Sequence, residues 1–151
     1  MHEVKPDPNA ACDTEALNAL LRGELAAVET YDQAMDKFED QHVLADLQKI
    51  REEHARAVMQ LRDKVTHFGG KPPAGSGLWA AFAAVVTAKG KPPGPATALS
   101  ALRQGEEYGV NQYEDALKNE HVNPECKEMI RVDLLPNCRK HIEELNRLLG
   151  C

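Results

Sequence analysis

The sequence predicts an all-α fold: four long helices forming two antiparallel hairpins, joined by one long crossover. Three observations carry this. Apolar residues recur at three- and four-residue steps through four segments of the 151-residue chain. No segment shows the sustained apolar/polar alternation of a strand bounded by turn residues. Two connections are only a few residues long, whereas the third runs from Gly69 to Pro95 between Gly-Gly-Lys-Pro-Pro and Gly-Lys-Pro-Pro-Gly-Pro, which no helix tolerates. Short connections force antiparallel neighbours. The long one carries the chain back along the bundle, so that the second and third helices run parallel.

The elements follow in order. Residues 1–12 are expected to be a flexible tail, and residues 13–151 the bundle. The first helix, 13–38, carries Leu17, Leu20, Leu21, Val28, Tyr31 and Met35, with Asp13 or Thr14 as its cap. The second, 41–68, starts after Asp40 and stops at Gly69-Gly70. The crossover, 69–95, contains an apolar run, 78–86, that suits a short helix capped by Ser76 and carries Trp79 and Phe82. The third helix covers 96–118. The fourth, 124–149, opens on Asn123 as N-cap and Pro124 in the first turn, and ends at Gly150.

Composition sets outer bounds. The net charge is −6 and there is no basic run, which argues against a nucleic-acid or anionic-membrane partner. No apolar stretch approaches the roughly 18 residues of a membrane span, and Met1-His2-Glu3-Val4-Lys5-Pro6 has no secretory signal core, so a cytoplasmic location is expected. Cys12, Cys126, Cys138 and Cys151 show no Cys-x-x-Cys spacing.

The strongest signal is an internal repeat. Leu17-Asn18-Ala19-Leu20-Leu21-Arg22-Gly23-Glu24 recurs as Leu99-Ser100-Ala101-Leu102-Arg103-Gln104-Gly105-Glu106, and at the same offset Val28 aligns with Val110 and Tyr31 with Tyr113. The second and fourth helices match more faintly: Leu47 with Leu134, His54 with His141, Leu61 with Leu148. Residues seven apart lie within about 20° of one line on a helix. Two helices therefore present Leu, Glu, Tyr to the core and the other two Leu, His, Leu. At about 1.5 Å per residue, Glu24 and His54 fall at one height. Glu106 and His141 agree less closely, a difference that a kink at Pro136 would absorb. The expectation is one central layer of Glu24, His54, Glu106 and His141. Tyr31, Leu47, Tyr113 and Leu134 would stack on one side of it, and Leu17, Leu61, Leu99 and Leu148 on the other. His42, His67, His121, Glu29 and Glu107 fall off these stripes.

At these residues the sequence resembles the ferritin-like superfamily of bacterioferritin and rubrerythrin type, over about residues 13–149. The stretch from Leu17 to Tyr31 is similar to a bacterioferritin first helix. The Gly69-Gly70-x-Pro joint, the Trp79 segment and the Gly105-Glu106 motif resemble an uncharacterised bacterial branch of that fold. The resemblance implies that Glu24 and Glu106 are iron ligands, with Tyr31 and Tyr113 beside the metal. Di-iron members take a Glu-x-x-His from each of the other two helices. Here Arg51 and Cys138 stand where those glutamates would be, and Glu52 and Glu53, about 200° and 100° round the helix from His54, are expected to point elsewhere.

Two readings result. In one, Glu24, His54, Glu106 and His141 bind a metal, iron or alternatively zinc or manganese, for iron handling or iron-dependent oxygen or peroxide chemistry. Tyr31, Tyr113, Arg51 and Cys138 then surround the ligands. In the other, the bundle is a metal-free structural or stress-related protein in which Arg51 and the histidines neutralise the core glutamates. Cys138 is a soft ligand, a reactive thiol or a small packing residue. A monomer or homodimer is expected rather than a ferritin-type cage, because no fifth helix is visible.

Overall fold

The computed structural model describes residues 8–75 and 94–150; among them there are helices and no strand. The short helix expected at 78–86 with its Ser76 cap lies outside the described residues, as do residues 1–7.

Helix α1 (Pro8–Met35) begins earlier than expected, so the tail assigned to 1–12 already contains its first turn. A proline in the first turn carries the helical φ, and Ala10-Ala11 favour propagation. Asp13 and Thr14 consequently lie inside the helix rather than capping it. Beyond Met35 the N–H groups of Asp36, Lys37 and Phe38 bond to carbonyls three residues back, a tighter turn that closes the helix. Helix α2 (Gln41–His67) is capped as expected: Asp40 accepts from the N–H of His42 at 2.8 Å and of Val43 at 3.4 Å.

The end of α2 shows what the Gly69-Gly70 pair does. Gly69 takes φ +82°, a left-handed conformation that breaks the helix. The Gly70 N–H then reaches the Val65 carbonyl at 2.8 Å, and the Gly69 N–H that of Thr66 at 3.0 Å. Gly70 is needed for space: a Cβ there would lie 2.7 Å from Cβ of Thr14 and 3.0 Å from Cγ1 of Val65. Gly70→Ala is expected to cost about 1–3 kcal/mol through this overlap. Gly75→Ala, whose Cβ would meet nothing within 4 Å, should be near neutral. Urea midpoints of the two variants check the contrast.

Helix α3 (Pro95–Lys118) has Gly94 at its N-cap and Pro95 in its first turn. Helix α4 (Pro124–Met129) opens on Asn123, whose side chain accepts from the Glu125 N–H at 2.8 Å. The fourth segment is not one continuous α-helix. A wider π-turn spans Ile130–Leu134 before α5 (Leu135–Leu149) completes it and Gly150, at φ +84°, ends it. The adjustment expected as a kink at Pro136 thus takes this form just upstream. Proline has no N–H for the carbonyl four residues back and its ring crowds that carbonyl. The wider turn meets this by letting the Leu135 N–H bond to the Ile130 carbonyl instead.

Two apolar clusters sandwich the middle of the bundle. One holds Leu17, Leu61, Tyr113 and Leu134, the other Tyr31, Leu47 and Leu99 with Leu148 packed against it. This corrects the expected stacking, which put both tyrosines on one side. Because α2 and α3 run parallel, α1 and α3 are antiparallel, and matching positions on them lie at opposite ends.

Candidate metal centre

Between the two clusters lie Glu24, His54, Glu106 and His141, each 3–5% exposed. α1 supplies Glu24, α2 His54, α3 Glu106 and α5 His141. Two carboxylates in such a place are costly unless paired or metal-bound. His54 bridges them: its Nδ1 is 2.5 Å from Glu24 Oε1, and its Nε2 is 2.7 Å from Glu106 Oε2. The tyrosines cross over. Tyr31 of α1 donates to Glu106 Oε2 at 2.6 Å, and Tyr113 of α3 donates to Glu24 Oε2. His141 sets its Nδ1 3.3 Å from Glu106 Oε1.

The electrostatics follow from burial and neighbours. Burial alone would pull the His54 imidazolium down, but Glu106 and then Glu24 outweigh it and hold its pKa well above 6.5. Burial would likewise raise Glu106, but the charge of His54 and the hydrogen bonds from His141 and His54 press it below the ordinary carboxylate range. Both tyrosines are pushed up, first by burial and then by the facing glutamates, so they stay neutral donors. Burial, then Glu106 and Glu24, also push the Cys138 thiol up. That direction disfavours a reactive thiolate.

Arg51 does not turn to the layer. Its guanidinium bonds Asp32 of α1 at 2.9 and 3.3 Å, with its side chain 31% exposed. The expected counter-ion of the core glutamates is thus spent on a half-buried link between α1 and α2, and His54 does the neutralising. Glu53, expected to point elsewhere, instead places Oε1 2.6 Å from His141 Nε2. The signal was its position three residues after Ile50 and four before Ala57, both buried on the same helix. His42, His67, His121, Glu29 and Glu107 are exposed, as expected.

Among the described residues, His54, Glu106 and His141 offer ligand atoms that all lie within 4.8 Å of one another. Two imidazoles and a carboxylate suit one divalent zinc, iron or manganese ion. They do not fit a carboxylate-bridged pair of irons, because Arg51 and Cys138 replace both bridging glutamates. On the α1–α3 side, a cavity of about 40 Å³ touches Glu24, Glu106 and both tyrosines and is walled by Gly23, Ala27, Gly105 and Gly109. That is room for a few water-sized molecules. No described helix is long and apolar enough to cross a membrane.

Among curated proteins none matches the chain. Among solved structures, the fold is similar to that of "ferritin like, diiron-carboxylate proteins" from Bacillus anthracis str. Ames. The TM-score is 0.75 at 21% identity, over 95% of this chain and 99% of that one. The fold expected from the sequence, a ferritin-like four-helix bundle, is the one observed. Residues 13–119 match the model of the domain of unknown function DUF2383, a family of ferritin-like fold, and to that family this chain belongs.

Proposed function

We propose that this protein binds one divalent transition-metal ion in the bundle core, through His54, Glu106 and His141. Glu24, itself held by Tyr113, holds His54 from behind, and Tyr31 steadies Glu106. The observation that carries the reading is the convergence of two imidazoles and a carboxylate from three helices in a buried layer. Iron is the first choice of metal, with zinc and manganese as alternatives. Iron bound there would supply electrons for chemistry with oxygen or peroxide. The chain's own part is to hold ligands, keep the phenols protonated and limit the space beside the site to a few small molecules. A single bundle domain, with its first helix entered at Pro8 rather than at residue 13, and a monomeric or dimeric state belong to the same proposal.

One observation favours a second reading, a structural bundle that works without metal. His54 bonds both core glutamates at once, so one imidazolium offsets part of their charge from within. The two readings part on metal content after expression with added iron, manganese and zinc. One equivalent in the parent and none in His141→Ala is the expected result. No metal in the parent would leave the structural reading standing, and two equivalents would call for a two-ion site.

A further inference from the structure

We propose that the cation reaches this site through the groove between α2 and α5, and that Glu53 is the carboxylate that takes it in. The inference rests on the metal reading and adds the route and the residue that controls it.

Within the linked network, the side chains of Glu24, His54, Glu106 and His141 are 2–7% exposed, whereas Glu53 is 16% exposed. Glu53 is thus the member that meets both solvent and the core. It lies against His141 Nε2 in an open groove of about 360 Å³ that is also lined by Asp46, Glu143, Glu144 and the cations Lys49, Lys140 and Arg147, the last of them paired with Asp46 and Glu144. From there the contacts run inward without a break: Glu53 to His141, His141 to Glu106, Glu106 to His54.

Among the described residues, the opposite face offers no such chain of contacts to a charged mouth. Apart from the core groups themselves, the lining of the α1–α3 cavity is uncharged and rich in glycine and alanine. A hydrated divalent cation would have to shed water there before meeting a ligand, which is costly in an apolar surround. A carboxylate at a wet mouth exchanges water for its own oxygens stepwise. When Glu53 turns outward to a cation, the same movement releases its hold on the His141 ring, whose Nδ1 faces Glu106. Uptake and release of a ligand ring are therefore one event.

The groove also holds a brake. The offset that aligns His54 with His141 aligns Glu53 with Lys140, so the repeat supplies one carboxylate and one ammonium to this mouth. The ammonium repels an incoming cation over a few ångströms in partly aqueous surroundings.

Stopped-flow uptake of Co²⁺ by the full metal-free chain tests this, with release into EDTA measured separately. Glu53→Gln keeps the size and the hydrogen bond but loses the charge, and is expected to slow association about tenfold or more. Glu53→Asp should stay nearer the parent, and Lys140→Gln should associate a few-fold faster at low salt, about the range for removing one like charge. Glu53→Gln with parental association, including a case in which only release quickens, would overturn the route. A parent chain that takes up no cobalt would overturn the metal reading first and this inference with it, so the two failures are distinguishable.

Discussion

His54→Leu is expected to lower the unfolding free energy of the metal-free protein by about 3–5 kcal/mol, the range for leaving a buried charge without its partner. The cause is geometric. One ring answers two carboxylates from two helices, at 2.5 and 2.7 Å, in a layer that solvent barely reaches. Remove the ring, and Glu24 keeps Tyr113 while Glu106 keeps Tyr31 and a longer contact to His141. Neutral phenols do not replace a cation. Urea unfolding in EDTA measures the loss. Arg51→Met is the matched comparison, expected to cost no more than about 1 kcal/mol because its pair with Asp32 is half exposed. If Arg51→Met costs as much as His54→Leu, the neutralising role assigned to His54 fails.

The pH dependence has a definite sign. The folded-state pKa of His54 is raised above 6.5, so its contribution is complete below about pH 6.5 and is lost as pH rises through the raised value. The folded-state pKa of Glu106 is lowered from 4.5, so its contribution is present above about pH 4.5 and is lost as pH falls toward the depressed value. The metal-free parent should therefore be most stable between these limits and weaken on both sides. In His54→Leu the alkaline decline should disappear. An alkaline limb that persists in the variant would assign it to another group.

What could be seen in the sequence was whatever repeats along a helix. Glu24, His54, Glu106 and His141 sit midway in Leu-Glu-Tyr and Leu-His-Leu stripes, and a rise of about 1.5 Å per residue suffices to level them. The caps at Asp40 and Asn123 were as legible, because a short polar side chain next to a helix start has one good use. The remainder depended on neighbours. A stripe fixes angle and height but not which end of the bundle a residue faces, and that is where the tyrosine stacking went astray. A wheel count gives a helix one inward direction. α2 packs on α1 but also meets α5, so its inward arc widens to take in Glu53 beside His54. Arg51 has a long side chain, and sequence spacing along α2 said nothing of Asp32 on α1. The π-turn left a single trace, Pro136, and periodicity cannot turn that into a local geometry.

Glu106 and Glu24 align in the repeat, yet they are expected to differ sharply in metal binding. Glu106 uses both oxygens on the layer: Oε2 meets His54 and Tyr31, and Oε1 faces His141. It belongs with the two histidines to the group of converging ligand atoms. Glu24 touches the histidine from the far side, through Nδ1, and its other oxygen is held by Tyr113. Glu106→Gln is therefore expected to abolish retained metal. Glu24→Gln should bind with affinity reduced about 10–100-fold, the usual cost of losing a group that orients a ligand. Equilibrium dialysis against Zn²⁺ with a competing chelator reads both. The distinction reaches back to the number of ions. Had both glutamates been ligands of equal standing, the layer would have two equivalent halves and room for a symmetric pair. Equal losses in the two variants would restore that picture. Unequal losses follow if Glu53 and Lys140, one on each side of the repeat, have left a single ion held toward the α2–α5 face.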